Sequence, residues 1–217
     1  MSIAENLLSI KNTLPEHVTL VAVSKTKPVS DLMEVYNAGQ RIFGENKIQE
    51  MSEKWEQMPK DIEWHMIGHV QTNKVKFMAS FVSLIHGVDS LKLLEEINRQ
   101  ALKNNRIIDC LLQIHIAEEE TKFGLDEKEL AVLLSSDAFQ EMKNIRITGL
   151  MGMATFTENQ NQIRKEFSHL KSIFDELRKD TQLDISILSM GMSGDYQLAI
   201  ECGSTMVRIG SRIFGNR

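Results

Sequence analysis

TLVAVSK, residues Thr19–Lys25, is short, rich in β-branched side chains and apolar on both faces, as a strand buried between helices must be. Upstream, Ile3, Leu7, Ile10 and Leu14 recur at helical spacing and predict a helix packed on the outside. Downstream, a helix from about Asp31 to Ala38 is expected, and the same alternation then repeats. RIFGE (Arg41–Glu45), EWHMIG (Glu63–Gly68), FVSLIHGV (Phe81–Val88), CLLQIH (Cys110–His115), ITGLMGM (Ile147–Met153), DISILSMG (Asp184–Gly191) and MVRIGS (Met206–Ser211) read as further strands separated by helical stretches.

Leu91, Leu94, Ile97 and Ala101 form one helical stripe, and Ile163, Phe167, Leu170, Phe174 and Leu177 another. Asp126 with Glu129, and Thr157 with Gln160, have the spacing of capping boxes that open helices. Eight strand-helix units in 217 residues predict an α/β fold, a single (β/α)8 TIM-type barrel somewhat below the usual length of about 250 residues. A doubly wound open sheet is the alternative. No linker or shift in composition marks a second domain, so one barrel domain is expected over residues 1–217.

The composition, 42% hydrophobic and 25% charged with three prolines, belongs to an ordinary globular protein. A net charge of -5 with both signs interspersed gives no reason to expect a nucleic-acid partner. The start of the chain carries Glu5 and no basic leader, and no apolar run is long enough for a bilayer, so a cytoplasmic location is expected. Cys110 and Cys202 lack metal or redox spacing and read as reduced structural thiols.

In such a barrel the chemistry gathers at the C-terminal ends of the strands. Lys25 closes the first expected strand, Glu45 and Asn46 the second, and His65, Gly68 and His69 lie at the end of the third; Asp89, Thr155 and Ser193 follow the fourth, sixth and seventh, and Gly210 with Ser211 ends the eighth. Val21, Val23 and Lys25 alternate onto the inner face. Partial burial there would favour the neutral amine, the form that makes a Schiff base with an aldehyde. The plainer reading has Lys25 snorkelling into solvent, and Lys27, Lys74 and Lys122 compete from loops or helix starts. The segment Ser189–Gly215 supplies a glycine turn, a Ser193 and Asp195 pair able to open a helix, and the Gly210 and Ser211 end of the last strand; two such loops together suit an anion. Arg208 projects to the same side as Gly210, toward either a carboxylate such as Glu45 or Asp89 or a ring nitrogen of a bound heterocycle. His65 and His69 have no metal-ligand spacing and read as hydrogen-bonded core or rim residues, and Met151, Met153, Met190 and Met192 as gap fillers.

VSKTKP (Val23–Pro28), FGENKIQE (Phe43–Glu50), WHMIGHVQTNK (Trp64–Lys74), KFG (Lys122–Gly124), GLMGMAT (Gly149–Thr155) and the Ser189–Gly215 segment span almost the whole chain. Together they make it resemble the YggS/PROSC family of pyridoxal phosphate homeostasis proteins, related to the N-terminal barrel of bacterial alanine racemases. The resemblance implies a fold-type III barrel in which Lys25 forms the internal aldimine with pyridoxal 5'-phosphate. It implies that Ser193, Gly210 and Ser211 hold the phosphate, that Arg208 faces the pyridine nitrogen, and that Asn46, His65 and Met192 approach the coenzyme. Ser211 stands where threonine is expected in many relatives, and either side chain keeps the hydroxyl.

The expected function is therefore that of a carrier which buffers or delivers the coenzyme, a monomer meeting coenzyme-dependent apoenzymes transiently. One alternative is a small amino-acid racemase on the same coenzyme. Another is a barrel isomerase or aldolase in which Lys25 attacks a sugar carbonyl directly. Alanine racemases share the arginine but add a tyrosine base from a C-terminal domain of the partner subunit. Here the chain ends at Arg217, and its two tyrosines, Tyr36 and Tyr196, fall within helices away from any such place.

Overall fold

The computed structural model describes residues 2–119, 123–180 and 183–215. Eight parallel strands pair in chain order: β1 Thr19–Val23, β2 Ile42–Glu45, β3 Glu63–Met66, β4 Leu84–Val88, β5 Ile108–Gln113, β6 Ile145–Met151, β7 Ile187–Met192 and β8 Met206–Ile209. β8 returns to β1, with Val21 opposite Arg208 and Ala22 opposite Ile209, so the sheet is a closed barrel and the open-sheet alternative falls. Around it run α1 Ile3–Lys11, α2 Val29–Asn37, α3 Ile48–Gln57, α4 Leu91–Lys103, α5 Glu127–Ser135, α6 Asp137–Gln140, α7 Gln160–Asp180, α8 Tyr196–Glu201 and α9 Ser211–Phe214. A 3-10 turn at Thr72–Phe77 takes the place of the helix expected between β3 and β4.

The two-residue period of the strands divides the core. Ala22, Phe43, Trp64, Ile85, Leu112, Leu188 and Val207 point outward and pack against Leu7, Leu32, Met51, Leu94, Phe167 and their neighbours on the helices. Val21, Leu84, Leu111, Met151 and Met206 point inward and form a separate apolar plug. The layer above the plug, toward the C-terminal ends of the strands, is polar.

Several expected boundaries move. β1 ends at Val23, because the Ser24 carbonyl accepts the Lys27 amide at 3.1 Å and closes a turn; Lys25 therefore stands in that turn and not in the strand. β8 ends at Ile209, since Gly210 is already the residue before α9. Phe81 and Val82 lie before β4, their amides turned back on the Met78 carbonyl. The Asp126 and Glu129 capping box is present with both hydrogen bonds. Thr157 does not cap α7: its hydroxyl accepts the Asn159 amide, and Asn159 Oδ1 accepts the Gln162 amide at 3.3 Å. Among the described residues no helix is long and apolar enough to cross a membrane, and Cys110 and Cys202 are both free thiols.

Candidate functional site

The β1 pleat carries Val21 into the plug, and the chain then turns at the barrel mouth with Lys25 half-buried. Lys25 lines a cavity of about 250 Å³ together with Val23, Thr26, Lys27, Gly210, Ser211 and Gly215. Three separately expected site residues thus meet across the β1 and β8 ends. Lys27 shares the cavity, with its Nζ donating to the Phe214 carbonyl at 3.1 Å. Lys74 is exposed on the 3-10 turn, and Lys122 lies outside the described residues.

The loops after β7 and β8 are latched together. The Gly210 amide donates to Ser193 Oγ at 3.3 Å, and Arg212 Nε donates to the Ser193 carbonyl at 2.6 Å. A Cβ on Gly210 would stand 3.0 Å from the Val23 carbonyl oxygen, so the close approach of the two strand ends depends on glycine there. Ser211 opens α9 beside the cavity, and the Ile213 and Phe214 amides both donate to the Gly210 carbonyl at 2.9 Å. Asp195 precedes α8 but does not cap it. Its carboxylate accepts the Met192 amide at 2.6 Å, and burial raises its pKa.

Arg208 is buried in the polar layer. Its NH1 donates to the Ser189 carbonyl at 2.9 Å and to Ser189 Oγ at 2.6 Å, and its NH2 donates to the Gly152 carbonyl at 3.0 Å. Ser189 Oγ is 3.1 Å from His86 Nδ1, and His86 Nε2 is 3.1 Å from His65 Nδ1. The chain of contacts crosses the barrel from β8 through β7 and β4 to β3. Neither Glu45 nor Asp89 is the partner of Arg208. Glu45 is one residue out of phase with the inner face and pairs with Lys54 at 2.7 Å, while Asp89 pairs with His69 at 3.2 Å.

Burial lowers Arg208 to about 10, which leaves it charged at neutral pH, and holds His65 down to about 3 and His86 well below its ordinary range. An unfolded imidazole takes up a proton below about pH 6.5, whereas buried His65 refuses one until about pH 3. Acidification across that window therefore favours the unfolded chain. Urea midpoints are expected to fall as pH drops from 6.5 toward 3, and to fall less in His65→Asn. An equal fall in the variant would contradict the assignment.

Asn46 follows β2, half-buried, with its carbonyl packed so closely on Gly68 that a Cβ there would lie 2.3 Å away. Met192 is exposed at the mouth, whereas Met190 lies in the outer core and Met151 in the plug. Thr155 turns from the mouth to Glu166, its Oγ1 donating to Oε1 at 2.7 Å. His69 stacks on Phe123 at 4.0 Å on the rim. His86 and Ser189 escaped sequence reasoning as site residues. Their signal was a polar side chain in phase with the inward Leu84 and Ile187. Among the described residues no cluster of His, Cys, Asp and Glu is gathered to hold a metal.

The family model described as alanine racemase, N-terminal domain, matches residues 1–217. A pyridoxal phosphate homeostasis protein of Aquifex aeolicus is 41% identical over 91% of this chain and 86% of its own. The chain belongs to the pyridoxal phosphate homeostasis protein family. The family includes a Schizosaccharomyces pombe member that is 41% identical over 93% of this chain and 85% of its own. PipY of Synechococcus elongatus, at 35% identity and covering 98% of this chain and 100% of PipY, superposes with a TM-score of 0.92 without PLP and 0.90 with PLP bound. An alanine racemase of Clostridium difficile shares the fold alone, with a TM-score of 0.82 at 16% identity over 60% of the enzyme.

Proposed function

We propose that this chain, as one barrel domain, binds pyridoxal 5'-phosphate covalently through Lys25 and buffers or delivers it without turnover of its own. The observation that carries this reading is the cavity that Lys25 shares with Gly210 and Ser211, with Ser193 latched to Gly210, in a relative of the PLP-bound PipY. The residues present fit the group: the amine stands beside a cradle that a Cβ on Gly210 would crowd, next to a hydroxyl-bearing helix start.

When bound, the coenzyme supplies an aldehyde for the amine and an electron-withdrawing pyridine ring. Ser193, Gly210 and Ser211 would hold its phosphate. Asn46 and His65, from the ends of β2 and β3, and Met192, the last residue of β7, would shape the approach. Arg208 keeps its proton, because its lowered pKa of about 10 is still well above neutral, so toward a ring nitrogen of the bound coenzyme it would act only as a donor. The neutral His65 and His86 pair, joined to it through Ser189, adds no competing charge. The reading includes a cytoplasmic monomer that meets coenzyme-dependent apoenzymes transiently and binds neither nucleic acid nor membrane.

Racemisation needs a second proton-transfer group on the opposite face of the substrate. Tyr36 donates its hydroxyl to Asp61 at 2.9 Å, in the turn that precedes β3, at the end of the barrel opposite the mouth. Tyr196 is buried with its hydroxyl 3.3 Å from Thr13 Oγ1, outside the barrel. Saturated with coenzyme and given L- or D-alanine in heavy water, the protein is expected to show no steady α-hydrogen exchange on the enzymatic scale of about 1 to 1,000 turnovers per second. Exchange at that rate, lost in Lys25→Ala, would establish the racemase instead.

A further inference from the structure

The Lys25 turn is gripped from behind by a buried cluster that does not reach the cavity. Lys54 of α3 is 5% exposed, and its Nζ donates to Glu45 Oε1 at 2.7 Å, to Glu50 Oε1 at 2.7 Å and to the Ser24 carbonyl at 2.8 Å. Ser24 Oγ donates to the same Glu45 oxygen at 2.6 Å. On the far side of Lys25, the Thr26 amide donates to Glu50 Oε1 at 2.6 Å. Thr26 has φ of 63°, the left-handed region that a threonine rarely adopts, so this turn is not one the local sequence would choose. Both residues flanking Lys25 are thus tied to one ion cluster, Lys54 with Glu45 and Glu50, that spans β2 and α3.

A buried ion pair is weak evidence of stability, since apolar residues of similar volume often serve the fold as well. Glu45 makes the arrangement costlier, because its Oε2 is buried without a hydrogen-bond partner and burial raises its pKa. A buried ion cluster that over-determines a strained turn points to a conformation held for use. We propose that Lys54, Glu45 and Glu50 are positioning residues for Lys25, holding its turn so that the amine meets an aldehyde at the correct angle.

This inference rests on the coenzyme reading above. In the step concerned, the Lys25 nitrogen adds to the aldehyde carbon, the aldehyde oxygen leaves as water after taking up the amine protons, and a C=N bond forms. The test compares Glu50→Ala, Glu50→Gln and the double variant Lys54→Met with Glu45→Gln, in which the partly exposed Glu50 carboxylate is the one charge of the cluster that remains. Each is read by the rate of C=N formation with pyridoxal 5'-phosphate and by affinity for pyridoxine 5'-phosphate, whose alcohol cannot form the bond. In Glu50→Ala and the double variant the rate is expected to fall roughly tenfold to a hundredfold, as misplacement of a reacting group does, with pyridoxine phosphate affinity unchanged. Glu50→Gln, which keeps an acceptor for the Thr26 amide, should restore the rate. An unchanged rate in both disruptive variants, or an equal loss of rate and pyridoxine phosphate affinity, would overturn the proposal. Failure of the unmutated protein to form the bond on Lys25 would instead overturn the coenzyme reading and this inference with it.

Discussion

Lys25→Ala is expected to lose the covalent coenzyme completely while the barrel stays folded. Lys25 is half-buried in a turn whose conformation is held by Ser24 and Thr26, so truncating it removes little packing and is expected to change stability by less than about 1 kcal/mol. The amine that could replace it, Lys27, lines the same cavity but donates to the Phe214 carbonyl. The proposed phosphate site at Ser193, Gly210 and Ser211 is untouched, so weaker non-covalent binding should persist. Absorbance titration with pyridoxal 5'-phosphate, alongside thermal unfolding, checks both halves. A borohydride-reducible chromophore that survives the substitution would remove Lys25 from its assigned place.

Ser193→Asp is expected to weaken coenzyme binding by about 2 to 4 kcal/mol, roughly thirtyfold to a thousandfold, because a fixed carboxylate would stand within a few ångströms of the phosphate at a partly screened site. The fold should survive. Ser193 is half-buried in a turn, and an aspartate there can still accept the Gly210 amide that Ser193 Oγ accepts now. Pyridoxal without its phosphate is the control, since its affinity should barely change. Equal losses for the two compounds would put the phosphate elsewhere.

The barrel was legible in the sequence because short, largely apolar strands alternate with helical stretches eight times and each long helix has one apolar stripe. Packing between layers then leaves few arrangements. What could not be read were contacts made by closure. His86 and Ser189 each look like one polar residue on an apolar strand, and only the pairing of β8 with β1 brings the inner faces of β3, β4, β7 and β8 into a single layer around Arg208. Glu45 was visible at the strand end, but its pleat turns it outward, to Lys54, so it is not the partner of Arg208. The position of Lys25 just past β1 likewise depends on distant chain: α3 supplies the ammonium that holds the Ser24 carbonyl and the carboxylate that holds the Thr26 amide. Thr157 lost the capping role to Asn159, a nearby residue of a type better suited to it.

Borohydride reduction of the coenzyme-saturated protein, followed by peptide mapping of the reduced adduct, tests the covalent site most directly. Hydride converts the C=N bond to a stable amine and marks the lysine that carried it. The expected result is one labelled lysine, Lys25, in an amount matching the bound coenzyme. Label on Lys27, Lys74 or Lys122, or no label on a protein that has bound the coenzyme, would contradict it.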